Sequence, residues 1–502
     1  LDADQRDHLP DGSLLAAIDL GSNSFHLIIA KTEHGEMRPV EVLAEKVQLG
    51  AGLVDDRLSR EAIDRGLDCL SRFAQLLGSV EPQKIRVVGT HALRQAENRL
   101  DFTLPARDIL GTRVDVIYGR EEARLVYLGV AHTLADDAHS RLVIDIGGGS
   151  TEFIIGQRFE PQRLESLQMG CVSFSGDYFA DGIINTANYQ RAYNRARLET
   201  SRIRSRYSCD HWAECVGSSG TLNAIEAIVI ENGWSESGIS RKALSRLEKK
   251  LLKFCHFDEI KLNGLSESRR NVIVAGVAIT TALFDTLGIA QLRASKGALR
   301  EGVIYDLMGR LSHEDVRERT VNALVQRYSA DEPTAAIVER RCATLFSATR
   351  GSWRLENEDW ELLHWAARTH EIGMAISHKH FNRHTAYLLR NADLPGFSQE
   401  EQEQLAILTQ GQRGKINTDL LDGLPRGTSR RLCYLLTIIR LAVCFKYVET
   451  LEQLPEFAVQ ADEDSLSLGF PDTWLEAHPL THSELLNQQA YLRRIGIELS
   501  VS

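Results

Sequence analysis

The sequence predicts an α/β protein built on a duplicated domain, followed by a helical domain and a small α/β cap. Three observations carry that reading. Ile18 to Ala30 reads IDLGSNSFHLIIA and Ile144 to Gly156 reads IDIGGGSTEFIIG, and the two align without a gap. Asp19 then meets Asp145, Gly21 meets Gly147, Ser24 meets Ser150, and His26 stands where Glu152 does. The offset is far too long for a solenoid repeat, so it marks two similar domains, each with one strand–turn–strand loop. From about Ser312 to Leu451 the pattern is helical, and strand-like runs return only after Phe457. Finally, 502 residues with 43% hydrophobic and 25% charged content are enough for three or four domains, each with its own core. The boundaries are placed at 14–125, 126–305, 306–450 and 451–502.

Taken in order, residues 1–13 are polar and predict a frayed start. Ala62, Ile63, Leu67, Leu70, Phe73 and Leu77 recur at helical spacing, an amphipathic helix over 61–77. Lys84 to Gly89 and Val114 to Tyr118 read as strands, and Gly119 opens a helix whose first turn carries Glu121 and Glu122. In the second half, an arginine-rich helix over 189–207 reads as a solvated face. Glu214 to Val216 runs into GSSGT, a small-residue loop opening a helix. ASKGALREG, ending at Gly302, repeats that theme and leads into a helix to Leu311. The last stretch reads strand, strand, helix, strand.

Composition narrows the setting. A formal net charge of −11 argues against general nucleic-acid coating. The eight cysteines form no close CxxC pair, which predicts reduced thiols rather than disulfides or zinc. The first residues show no signal-peptide pattern and no run reaches transmembrane length, so a cytoplasmic protein without an integral membrane segment is expected; peripheral association is left open.

The chemistry converges on phosphate. Successive glycines turn backbone N–H groups toward one point, a phosphate cradle. Asp145 before the second loop and Glu152 after it are hard oxygen ligands beside that cradle, which points to Mg²⁺. Phosphoryl transfer to water also needs charge neutralisation and an oriented water. Arg94 in THALRQA is the candidate fork onto a phosphate oxygen, and Glu121 or Glu122 the candidate base, kept ionised by the helix dipole.

DLGSNSFHL, THALRQA, GREEARL, DIGGGSTE, MGCVSF, GSSGT and GALREG, in this order, resemble the exopolyphosphatase and guanosine pentaphosphate phosphohydrolase family over nearly the whole chain. The resemblance implies duplicated actin-like (ribonuclease H-like) phosphatase domains that clamp phosphates in a cleft. It puts the catalytic glutamate at Glu122, the phosphate-binding arginine at Arg94, and the metal carboxylates at Asp145 and Glu152. Phosphate-loop positions fall on Asp19, Gly21, Ser22, Asn23 and Ser24, and on Gly147, Gly148, Gly149, Ser150 and Thr151. Ser219 and Gly220 join them from GSSGT. THALRQA, GGGSTE and NRHTAY look more like the exopolyphosphatase branch, so the expected reaction is Mg²⁺-dependent processive hydrolysis of inorganic polyphosphate. Guanosine pentaphosphate hydrolysis and a non-catalytic actin-like sensor are the alternatives. A homodimer is what the family resemblance implies. The helical domain resembles the HD phosphohydrolase fold with departures: His370-Glu371 replaces the His-Asp pair, and Val443 stands where a late ligand Asp is expected. A metal is therefore not expected there, despite His378, His380 and His384. Arg383, Arg413 and Lys415 are candidates to guide a polyanion.

Overall fold

The computed structural model describes residues 9–33, 36–134, 139–311, 315–449 and 454–502. They form two compact units, Leu1–Asp315 and Val316–Ser502.

In the first unit the duplication reappears as topology. Strands Leu14–Leu20, Ser24–Glu33 and Glu36–Lys46 form an antiparallel meander, and Ile85–Gly89 then Val114–Val116 add in parallel beside Leu14–Leu20. The second sheet repeats the plan with Ser140–Ile146, Thr151–Gln157 and Glu160–Leu167, extended past Ser140–Ile146 by Glu214–Ser218, Gln291–Ala294 and the short Ile239–Ser240. Both leading strands lie inside their sheets and are buried on both faces, which is why LLAAIDL and RLVIDI are runs rather than alternations. The helix Arg60–Leu76 starts at Ser59, whose side chain accepts from the Ala62 N–H, and it buries Ala62, Ile63, Leu70 and Phe73 on one face.

A separate apolar cluster lies between the two sheets. It joins Leu15, Ile28 and Val88 of the first sheet to Val143 and Ile154 of the second through Val126, Val130, Val303, Ile304 and Leu307. The last five sit on helices Gly119–Ala131 and Leu299–Leu311, which touch backbone to backbone: a Cβ on Gly302 would lie 1.8 Å from the Leu125 carbonyl oxygen. The expected boundaries at 125/126 and 305/306 therefore cut through two helices that belong to one shared core. The first residues also depart from expectation. The Gly12 N–H donates to the Thr32 carbonyl at 2.8 Å and Thr32 Oγ1 to the Pro10 carbonyl at 2.8 Å, so residues 10–13 are tied to a strand; residues 1–8 lie outside the described set. The arginine-rich segment is two helices, Thr186–Ser201 and Arg204–Tyr207.

The second unit packs helices Val316–Arg327, Glu332–Trp353, Asn357–Thr369, Phe381–Asn391, Gln399–Gly411 and Arg426–Glu449. Its three-stranded sheet has the order Ala458–Asp462, Ser465–Gly469, Glu498–Val501, with Pro479–Leu492 packed against it. The predicted cap is thus present, but not as an independent domain. Leu466, Leu468, Leu485 and Leu499 share one core with Leu435, Ile439 and Phe445 of the helices. The expected 450/451 boundary falls on residues outside the described set. Among the described residues no helix is long and apolar enough to cross a membrane.

Candidate active site

The two repeated loops meet. A Cβ on Gly148 would lie 2.8 Å from Ser22 Cβ and 3.3 Å from the Asn23 nitrogen, so only glycine allows this approach. The second loop closes on itself through the Gly147 N–H, which donates to the Ser150 carbonyl at 2.9 Å. A third small-residue segment joins them at Ser219. Its φ of +111° is strained for a residue with a Cβ, and its hydroxyl caps the helix Gly220–Glu231 by accepting from the Leu222 N–H. Together these segments line a cavity of about 210 Å³.

Of the residues singled out in the sequence, Asp19, Gly21, Ser22, Asn23, Ser24, Glu122, Asp145, Gly147, Gly148, Gly149, Ser150, Ser219 and Gly220 line this cavity. Arg94, Thr151 and Glu152 do not. Arg94 Nη1 donates to the Ile117 carbonyl at 2.9 Å and to Glu122 Oε2 at 3.0 Å, so one nitrogen of its guanidinium holds the glutamate. Thr151 is fully buried, its hydroxyl donating to the Met169 carbonyl. Glu152 sits opposite Asp145 across the strand pair and accepts from Ser166 Oγ at 2.9 Å. The choice between the adjacent glutamates is also resolved by packing. Glu121 takes two hydrogen bonds from Arg124 at 2.8 Å each, facing away into the core, and Glu122 faces the cavity.

Sequence reasoning missed several lining residues: His91, Asn223, Arg269, Lys296 and Arg300. Lys296 and Arg300 lie within ASKGALREG and were accessible there as cations flanking a small-residue loop. Arg269 carried no signal. It comes from a 3₁₀ turn and is placed only by tertiary packing, so close over Gly220 that a Cβ there would meet its guanidinium.

Three carboxylates, Asp19, Glu122 and Asp145, crowd into this cavity. Burial pushes the Asp145 carboxyl up to about 7, with Glu122 and Asp19 adding to the rise. Burial likewise raises Glu122 despite the Arg94 contact, and raises Glu152 well above the usual carboxylate range. Burial thus outweighs the helix-end field expected to keep Glu122 strongly acidic, and its proton affinity suits a base better for it. Buried Asp19 Oδ1, Ser22 Oγ and Asn23 Oδ1 have no hydrogen-bond partner. Polar atoms so placed call for a ligand. Raised, crowded carboxylates with an orphaned oxygen fit a hard cation. Among the described residues no cluster of three or more His, Cys, Asp or Glu forms a ready-made metal cage.

In the second unit, Arg383, Arg413 and Lys415 line a cavity of about 740 Å³ with His378, Lys379 and His380, and no carboxylate is among its lining residues. At His370-Glu371 an ammonium fills the site: Lys446 Nζ lies 3.3 Å from His370 Nε2 and is bonded to Glu371.

Comparison with known proteins places this geometry. The Ppx/GppA phosphatase family profile matches residues 27–311, and the profile for domain III of Ppx/GppA phosphatases matches residues 316–489. A guanosine-5'-triphosphate,3'-diphosphate pyrophosphatase of Pseudoalteromonas translucida is 39% identical over 98% of this chain and 99% of its own length. The protein of that name from Photobacterium profundum is 38% identical over 95% of each chain. Among solved structures, an exopolyphosphatase-like protein is 25% identical, with TM-score 0.54, over 59% of this chain and 99% of its own. An exopolyphosphatase from Cytophaga hutchinsonii has TM-score 0.53 at 24% identity, over 59% of this chain and 98% of its own, and supports the actin-like fold. With both profiles matched and full-length relatives well above 30% identity, the chain belongs to the Ppx/GppA phosphatase family.

Proposed function

We propose that this phosphoanhydride hydrolase is an exopolyphosphatase that removes terminal phosphate from inorganic polyphosphate. The observation that carries the reading is the composition of the cavity. It is lined by backbone loops, hydroxyls, carboxylates and the cations Arg269, Lys296 and Arg300, with no Phe, Tyr or Trp ring on which a nucleobase would stack. Such a lining supports recognition of phosphate oxygens, with His26, His91, Val126, Ile146 and Leu299 completing the wall.

In this reading the N–H groups of the two loops hold the terminal phosphoryl group, and Glu122 orients a water beside it. The water oxygen bonds to the terminal phosphorus, the bond from that phosphorus to the bridging oxygen breaks, and Glu122 takes the water proton. Orthophosphate leaves with the shortened chain. Arg94 acts as a positioning residue, fixing the Glu122 carboxylate. Asp145 and Asp19, with Glu152 behind them, are the carboxylates that would hold Mg²⁺, which when bound neutralises phosphate charge.

A second reading, hydrolysis of guanosine pentaphosphate, is favoured by the names of the relatives above. Phosphate release from long-chain polyphosphate and from guanosine pentaphosphate, measured side by side with Mg²⁺ and with EDTA, separates the two. Mg²⁺-dependent release from the polymer is the expected result. Release from the nucleotide alone would replace the first reading with the second.

A further inference from the structure

In each repeat the apolar face that packs between the two sheets ends in a polar pair. On the first strand pair that face carries Leu15, Ala17, Ile28 and Ala30, and the residues that end it are Asp19 and His26. On the second it carries Val143 and Ile154, and the residues that end it are Asp145 and Glu152. Directly opposed residues of an antiparallel pair point to one side of the sheet, so the two side chains of each pair meet.

The pairs differ in chemistry. Asp145 faces a second carboxylate, whereas Asp19 faces a donor: His26 Nδ1 lies 3.3 Å from Asp19 Oδ2. A carboxylate oxygen accepts, so Nδ1 carries the hydrogen. Asp19 Oδ1 is buried with no hydrogen-bond partner among the described residues, and a Cβ on Gly21 would lie 3.7 Å from it. One oxygen of Asp19 is thus held, and the other is left free beneath the first glycine turn. Both residues line the cavity.

We propose that His26 is a positioning residue, whose Nδ1–H fixes the Asp19 carboxylate so that Oδ1 faces the cavity as a ligand for a divalent cation. Hydrogen bonds behind a metal ligand hold it in one orientation, and their loss weakens the metal. The duplication explains why His stands here and Glu in the second repeat. A carboxylate opposite Asp19 would leave Oδ2 without a donor and add repulsion. The inference rests on the Mg²⁺ reading above and is independent of which phosphoanhydride is cleaved.

The test is direct binding of Mn²⁺, a probe for the oxygen-ligand site, to the full chain by electron paramagnetic resonance with orthophosphate present. The variants are H26A, H26N, D19N and D19N/H26A. Asparagine carries an N–H at the same distance from the backbone as Nδ1, so H26N keeps the donor and loses the ring. H26A should weaken Mn²⁺ binding by about 10-fold or more. H26N should recover most of that loss, and H26A should add nothing in the D19N background. In turnover the same order should appear in the Mg²⁺ needed for half-maximal rate. Unchanged binding in H26A would overturn the proposal. So would an H26N as weak as H26A, which would assign the effect to ring packing, or an additive loss in D19N/H26A, which would show that His26 acts through another group. Wild-type protein that binds no Mn²⁺ would instead overturn the metal reading itself, an outcome distinct from the three that remove only the role of His26.

Discussion

Asp306→Asn removes one charge and almost no volume from the most heavily charged place in the interior of the first unit. Asp306 is buried and accepts from Arg86, from Arg124 and, at 2.9 Å, from Arg310 Nε. Arg124 also holds Glu121, and Asp115 lies 3.5 Å from Arg86 and 3.0 Å from Arg113, so four guanidiniums face three carboxylates. Converting Asp306 to an amide leaves one more uncompensated positive charge in that cluster, while the amide NH₂ points a donor at a donor. Breaking a buried pair in this way costs about 3–5 kcal/mol. At about 2 °C per kcal/mol for a unit of this size, the first calorimetric transition should fall by roughly 6–10 °C. Arg124 lies two residues past Glu122 on the same helix, so the same change should lower kcat more than it raises KM. The control is charge balance. Arg310→Met on top of Asp306→Asn leaves three guanidiniums against two carboxylates, the same excess of one as in the wild type, and should recover part of the loss, although Arg310→Met alone destabilises. A loss below 1 kcal/mol, or a double variant as unstable as the sum of its parts, would refute the charge counting.

Four further outcomes are expected. Glu122→Gln should reduce phosphate release by about 10³-fold or more with polyphosphate binding held within a few-fold; a variant keeping most of its rate would assign the base elsewhere. Asp145→Asn should raise the Mg²⁺ needed for half-maximal rate by about 10-fold or abolish turnover, and an unchanged Mg²⁺ curve would move the metal to other residues. His364 bridges Glu339 at 2.9 Å and Glu318 at 3.1 Å; burial opposes its charge, but the two carboxylates lift it to about 9 and it holds Glu318 down to about 2. A raised imidazole gives stability that is complete below its unfolded pKa of about 6.5 and is lost as pH climbs through 9. His364→Gln should therefore cost about 1–2 kcal/mol near pH 6, after discounting for partly exposed partners, and nearly nothing at pH 9.5; a cost independent of pH would count against the pairing. Lys446→Met strands the Glu371 carboxylate beside His370 and should destabilise the second unit by about 3–5 kcal/mol, less at pH 5 where His370, now without the lysine, takes up the proton. Equal damage at both pH values would show that Lys446 acts through packing alone.

Much of the first unit was legible because the duplication is written in local sequence. Asp19, the glycine turn and the second apolar run recur in Asp145, its turn and its run, and the structure pairs Asp19 with His26 as it pairs Asp145 with Glu152. A strand–turn–strand loop is local, so its residues can be read in place. The helix over Gly119–Ala131 could be read the same way, but the domain boundary could not. Where a chain passes from one core to the next depends on which helices share a core, and Gly129 and Gly302 show that sharing only once the helices are seen in contact. The same limit explains Arg94. Its distance from Glu122 in sequence hides that the two side chains meet.

Glu121 and Glu122 show where sequence held more than was taken from it. Both lie in the first helical turn, and the dipole favours either. Arg124 follows Glu121 at a spacing of three, the spacing at which helical side chains meet. A glutamate so engaged, on a helix whose other face is apolar, has its carboxylate already committed. The free choice for chemistry is then Glu122, before any relative is consulted. The second unit offers no comparable shortcut. His370-Glu371 reads as a degraded metal pair, and nothing near it in sequence announces that Lys446, a whole helix bundle later in the chain, inserts an ammonium between the two. The cation requirement of that buried carboxylate is met by the protein itself, in an internal ion pair. A carboxylate and an ammonium within hydrogen-bond reach exclude a second cation by both space and charge. His378 and His380 belong to a different feature, a basic cavity with no carboxylate among its lining residues, whose chemistry suits anions rather than metals.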